Sequence, residues 1–189
     1  MPPVDPKLSM ELSAIHDLDD FALSGLVSNL VAERYWDDPE SDQDQEEAGT
    51  NCPEALYALQ LSRHWWIAFL VHDFVEDVLT GGLEQFFDHH ESATFPPLSE
   101  ALQEIGAEVF LPPFRDAVEV FREFENSLFN VGWESTEDFR EQTQDAFEGK
   151  IAPMNQAVSG LLGQCDPRAC LARYIRENLA LYRAGAADS

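Results

Sequence analysis

The chain has 189 residues, 44% of them apolar, with 4 Trp and 13 Phe; this is enough for one domain with a full core and excludes global disorder. Its 36 acidic against 11 basic residues give a formal charge of −25 and a pI near 4.2, which excludes bare nucleic acid and anionic membranes as partners by repulsion. No apolar run reaches the roughly 18 residues that a bilayer span needs.

Taken in chain order, Leu18, Phe21, Ala22, Leu26, Leu30 and Val31 recur at helical spacing behind Asp17, Asp19 and Asp20, and this predicts a first amphipathic helix with an acidic start. It is expected to end near Trp36. Residues 37–47 follow as an acidic loop with no apolar side chain. Asn51 and Pro53 are a cap and an early helical position. The helical pattern then continues through Leu56, Leu59, Trp65, Trp66, Phe69, Leu70, Phe74 and Val78. Wound at 100° per residue, residues 65–79 are apolar over most of the circumference, which makes this the central helix. Its one polar sector holds His72, Asp73, Glu76 and Asp77 as an acidic stripe.

Gly81 and Gly82 are expected to break that helix, leaving a short helical piece from Leu83 to Phe87 and a polar loop from Asp88 to Ser92. Pro96 and Pro97 open another helix, which Gly106 ends because it lacks a Cβ and suits the left-handed conformation past a C-terminus. Pro112 and Pro113 open the next, with Phe114, Ala117, Val118, Phe121 and Phe124 or Phe129 inward. A loop over 127–134 leads to an acidic helix capped by Ser135 or Thr136 and ended by Gly149. The last helix starts at Asp166 and Pro167, with Leu171, Tyr174, Ile175, Leu179 and Tyr182 inward and Arg168, Arg173, Arg176 and Arg183 largely outward. No window alternates with period 2. The expected class is all-α: a single domain over 1–189, with about six to eight helices bundled around the central apolar helix.

Gly81, Gly82, Gln85, Phe86 and Phe87, followed by Ile105, Gly106 and Ala107, stand in an order and spacing that resembles the family of DNA mimic protein 19. That pattern is a helix, Asn-Gly-Gly-Phe, one residue, Gln-aromatic-Phe, a polar loop, and a helix ending Ile-Gly-Ala. Here Thr80 replaces the Asn, Leu83 the Phe, and Asp88-His89-His90-Glu91 a loop rich in Asn, Ser and Gly. The resemblance covers about 65–125 and leaves 127–163 as an elaboration. It implies an all-helical fold and, from the member that gives the family its name, a bacterial homodimer that imitates DNA and blocks a helix-turn-helix regulator. The matching residues include no acid. Gly81, Gly82, Gln85, Phe86, Phe87 and Gly106 are therefore read as structural, with Gln85 satisfying carbonyls exposed at the helix break.

The expected partner-binding surface is Asp37, Asp38, Glu40, Asp42 and Asp44 in the loop, with Asp73, Glu76 and Asp77 on the central helix and Glu119 and Glu123 on a later one. Asp73 with Asp77, and Glu119 with Glu123, lie four apart and form ridges that repel themselves unless something cationic meets them. A basic DNA-binding protein is the expected partner. The alternative is a helical module of antitoxin-like or immunity-like type whose charge serves solubility. A third reading is a hydrolase or metal-dependent enzyme beside His72 and Glu76.

No catalytic residue, metal ligand or cofactor is assigned, because the chain has no Gly-x-Ser-x-Gly, P-loop, His-Glu-x-x-His or Cys pair of metal-ligand spacing. Cys52, Cys165 and Cys170 form no CxxC, and the start at Met1-Pro2-Pro3 lacks a secretion pattern, so a cytoplasmic location is expected.

Overall fold

The computed structural model describes residues 15, 17–35, 63–90, 92–131 and 136–182, without the side chains of 32–35, 128–131 and 136–144. Within these residues there are six α-helices and no strand: α1 (Asp20–Tyr35), α2 (Arg63–His89), α3 (Phe95–Glu104), α4 (Leu111–Val131), α5 (Thr136–Leu162) and α6 (Pro167–Glu177). The all-α class read from periodicity is what the chain adopts. Helix α2 is central, in contact with α1, α3, α5 and α6, and α4 closes the bundle against α5 and α3.

The centre of the core is aromatic. Phe74, Phe86, Phe95 and Phe114 are all essentially inaccessible and meet one another at ring-centroid distances of 5.3–6.3 Å. The edges of these rings point at neighbouring faces, as the aromatic quadrupole favours. Trp65, also inaccessible, sits edge-on to Tyr182 and ties α2 to the C-terminal 3-10 turn.

The turn read from Ile105-Gly106-Ala107 is a full Schellman cap. Gly106 has φ 79°, Ala107 N–H returns to Leu102 O at 2.8 Å, and Gly106 N–H to Gln103 O at 3.2 Å. Ile105 and Ala107 are both buried, so the motif also anchors the turn in the core. Asp166 caps α6 as its residue type dictates, accepting the Arg168 N–H at 2.8 Å with Pro167 at the first helical position.

Three expectations are corrected. Helix α1 buries Leu23, Ser24, Val27, Ser28 and Val31, whereas Phe21 is 58% exposed and lies under the Arg168 guanidinium at 4.7 Å. Both faces of that helix carry apolar residues, and its packing on α2 and α6 selects between them. Helix α4 runs to Val131 through much of the expected loop. Helix α5 continues to Leu162 through Gly149 and Pro153, which cost about 1 and 3 kcal/mol relative to alanine. Burial of Ile151 and Val158, and the packing of Phe147 on Phe121 and Phe124, offset that cost. Asn51, Pro53 and the acidic loop 37–47 lie outside the described residues.

Candidate functional site

The glycine pair breaks α2 at one residue only. Gly82 adopts φ 79°, ψ −170°, and the helix resumes beyond it to His89. A break of this kind frees backbone N–H groups, which need partners when they are shielded from water. The partner comes from another helix: Asn155 of α5 accepts the Leu83 N–H at 2.7 Å through Oδ1 and donates through Nδ2 to Glu84. Gln85 does not serve the freed carbonyls as expected. Its Nε2 donates to Asp77 Oδ1 at 3.2 Å, reaching back across the kink.

Asp77 is therefore not on the outward stripe. Its side chain is only 9% exposed, and it accepts from Gln85, from His89 Nδ1 at 2.8 Å and from His90 Nε2 at 3.2 Å. Burial pushes its carboxyl up, but the hydrogen bonds from His90 and Gln85, with His89 beside them, outweigh burial and hold it below its ordinary value. His90 is buried, stacked on Phe86 at 4.4 Å, and not part of an exposed loop. Its Nε2 also lies 3.0 Å from Asp73 Oδ2, and Asp73 is 36% exposed.

Glu76 keeps 44% exposure but is bound to Arg168 Nη1 at 2.6 Å. Arg168, expected outward, is 11% exposed, because it joins Glu76 of α2 to its own helix cap Asp166 and covers Phe21 of α1. Most of the α2 stripe is thus engaged inside the fold. Sequence periodicity placed these side chains on one sector correctly; it carried no information on which neighbouring helix covers that sector.

His72 and Glu76 take different hydrogen-bond partners, Ser24 and Arg168. His72 Nδ1 is 3.2 Å from Ser24 Oγ, whose own proton goes to Phe21 O, so the imidazole is the donor. At the start of α2, Tyr174 gives its proton to Glu104 at 2.6 Å and accepts from His64 Nδ1 at 2.6 Å. Arg63 adds an ion pair to Glu104 at 2.7 Å.

Burial lowers the pKa of both His64 and His72 below the usual 6.5. As pH falls below about 6.5 the unfolded chain takes up protons that the folded chain refuses, so the stability these two neutral imidazoles contribute is constant above that pH and lost below it. Urea midpoints measured from pH 7.5 to 5 should show this decline, and His72→Gln should flatten part of it. A second loss is expected at lower pH, where Glu104 and Asp166, each held below its usual range by its Tyr and Arg partners against the opposing effect of burial, become protonated.

The exposed acids lie elsewhere. Glu119 and Glu123 are exposed on α4, with Glu123 paired to Lys150 at 3.2 Å. Glu108, Asp116, Glu119 and Glu177 are exposed and have no ion-pair partner among the described residues. By contrast Arg63, Lys150, Arg168 and Arg176 are all already paired with carboxylates. The five acids expected from loop 37–47 lie outside the described residues.

A glycine-kinked central helix, a Schellman turn at Gly106 and an acid-rich outer surface define a class of all-helical acidic domain. A family model described as DMP19-like protein matches residues 59–178, and the chain belongs to that family. The match takes in residues 127–163, which the motif resemblance left unplaced, and Asn155 at the kink shows why that segment belongs with the rest. Comparison with curated proteins and with solved structures finds no match. Among the described residues no helix is long and apolar enough to cross a membrane.

Proposed function

We propose that this chain is a non-enzymatic interaction protein whose carboxylate surface occupies the basic face of a DNA-binding protein. The observation that carries this reading is the unspent anionic charge: the exposed Asp116 and Glu119 of α4 and Glu177 of α6 have no ion-pair partner among the described residues, while the chain as a whole is at −25. Membership of the DMP19-like family supports it. A cationic groove that normally meets phosphates recovers part of the same Coulomb attraction from fixed carboxylates, and gains specificity and association rate from it. Three of the four acids of α4 make a row with rises of about 4.5 and 6 Å from Asp116 to Glu119 to Glu123.

The test is capture of DNA-binding proteins from a lysate of the source cells at low salt, followed by release with moderate salt and with competing duplex DNA. The double variant Asp116→Asn, Glu119→Gln is expected to weaken a captured complex by about two- to twentyfold. A partner held equally well at high salt, and indifferent to duplex, would contradict mimicry.

One observation favours the second reading, a helical protein-binding module whose charge serves solubility. Arg115 and Arg122 are exposed on the same face of α4 as Asp116, Glu119 and Glu123, so that face is not uniformly anionic. A salt-insensitive partner is the result that reading expects.

A further inference from the structure

Independently of the partner, the α2 kink gathers three metal-ligating atoms. Asp73 and Asp77 stand one turn apart on the same face before the break, and the chain beyond Gly82 returns His90 to them. His90 Nε2 lies 3.0 Å from Asp73 Oδ2 and 3.2 Å from Asp77 Oδ2, and the donor atoms of the three residues all fall within 4.8 Å of one another. We propose that Asp73, Asp77 and His90 form a divalent-cation site of the zinc class, which clamps the two halves of α2 across the kink.

Three features carry this beyond a chance meeting of acids. First, one ligand is an imidazole that is 4% exposed at its side chain, held in place by stacking on Phe86, so its nitrogen is fixed before any ion arrives. Second, Asp77 is oriented: its Oδ1 is occupied by Gln85 and His89, which leaves Oδ2 turned toward the cluster. Metal-binding carboxylates are held by outer hydrogen bonds of this kind, and losing such a partner typically weakens metal binding by about 10- to 100-fold. Third, a single Nε2 proton is shared between two carboxylates at nearly equal distances, whereas a divalent ion among the three atoms satisfies both at once.

One nitrogen and two carboxylate oxygens suit zinc, which accepts three protein ligands and a water. The half-exposed Asp73 side leaves room for that water, and the all-oxygen octahedral preference of magnesium is not met. Binding displaces the proton from Nε2 and leaves the imidazole neutral toward the ion. In this chain Gly82 turns the helix, Gln85 orients Asp77, and Phe86 fixes His90.

The experiment uses the full chain, dialysed against a chelator and then titrated separately with zinc and magnesium by calorimetry and thermal melting. Zinc is expected to bind one to one, raise the melting temperature and release protons into the buffer; magnesium is expected to do none of these at the same concentration. Asp73→Asn, which removes a partly exposed oxygen, should weaken zinc binding by at least about tenfold. His90→Gln should abolish it, and Asp145→Asn, an exposed acid remote in sequence from the cluster, should leave it unchanged. The proposal is overturned if zinc fails to bind one to one, or if Asp73→Asn and His90→Gln each bind zinc as the parent chain does. In the first case the three side chains form a hydrogen-bonded cluster only.

Discussion

Phe86→Ala is expected to lower the free energy of unfolding by about 3–5 kcal/mol, the largest loss of any single side chain considered for this fold. Phe86 is fully buried and touches rings from three helices: Phe74 at 5.3 Å and Phe87 at 5.9 Å within α2, Phe95 of α3 at 6.0 Å, and Phe114 of α4 at 5.9 Å. His90 stacks on it at 4.4 Å. Truncation therefore opens a cavity whose walls belong to separate helices and cannot all collapse inward. It also removes the support of a buried imidazole. Urea denaturation followed by circular dichroism measures the loss. Phe21→Ala provides the contrast, since that ring is mostly in water and its removal should cost under about 1 kcal/mol. Equal losses at the two positions would mean that the aromatic cluster is not the centre of stability.

The second large effect is expected at Gly82. Its φ 79°, ψ −170° lies where residues with a Cβ are strained by about 1–3 kcal/mol. A Cβ there would also stand 2.8 Å from Glu84 Oε2 and 3.1 Å from the Asn155 amide. Moving Asn155 away leaves the Leu83 N–H without its acceptor, at a further cost of about 1–3 kcal/mol. Gly82→Ala should thus lose about 2–5 kcal/mol in the same denaturation measurement, and Asn155→Ala only the hydrogen-bond share. Because the two changes act on one contact, the double variant should lose less than the sum of the singles. Strict additivity would show that Asn155 does not respond to the Cβ. Gly106→Asn, placed at a left-handed cap that tolerates asparagine, should be much milder.

These two positions mark how far the residues could be read unaided. Gly82 and Gly106 are legible because glycine's conformational freedom is a local property, and the structure gives both a positive φ. Asp166 and Pro167 are legible for the same reason at a helix start. The inward faces of α4 and α6, with Phe114, Ala117, Phe121, Leu171 and Ile175 buried, follow from spacing alone. Boundaries that depend on distant packing are not legible. Gly149 and Pro153 carry strong local stop signals, yet α5 runs through both because α2 and α4 hold it.

The candidate site divides along the same line. Asp73, Glu76 and Asp77 share a helix face, as their spacing requires. That Asp77 is buried, that Glu76 meets Arg168 and that His90 closes on the pair depend on residues up to 92 positions away. Asn155, which supports the kink, carries no sequence signal at all: an asparagine within a helix resembles any surface polar residue until a distant backbone N–H is placed beside it.

What the sequence by itself determined is the helical class, the excess of negative charge, and the turns at Gly82 and Gly106, since each arises from composition or from local backbone preference. Only the tertiary structure decided which acids remain at the surface and which are drawn inside. The reason is physical: a carboxylate is stable in the interior only beside a donor or cation, and those partners come from other helices.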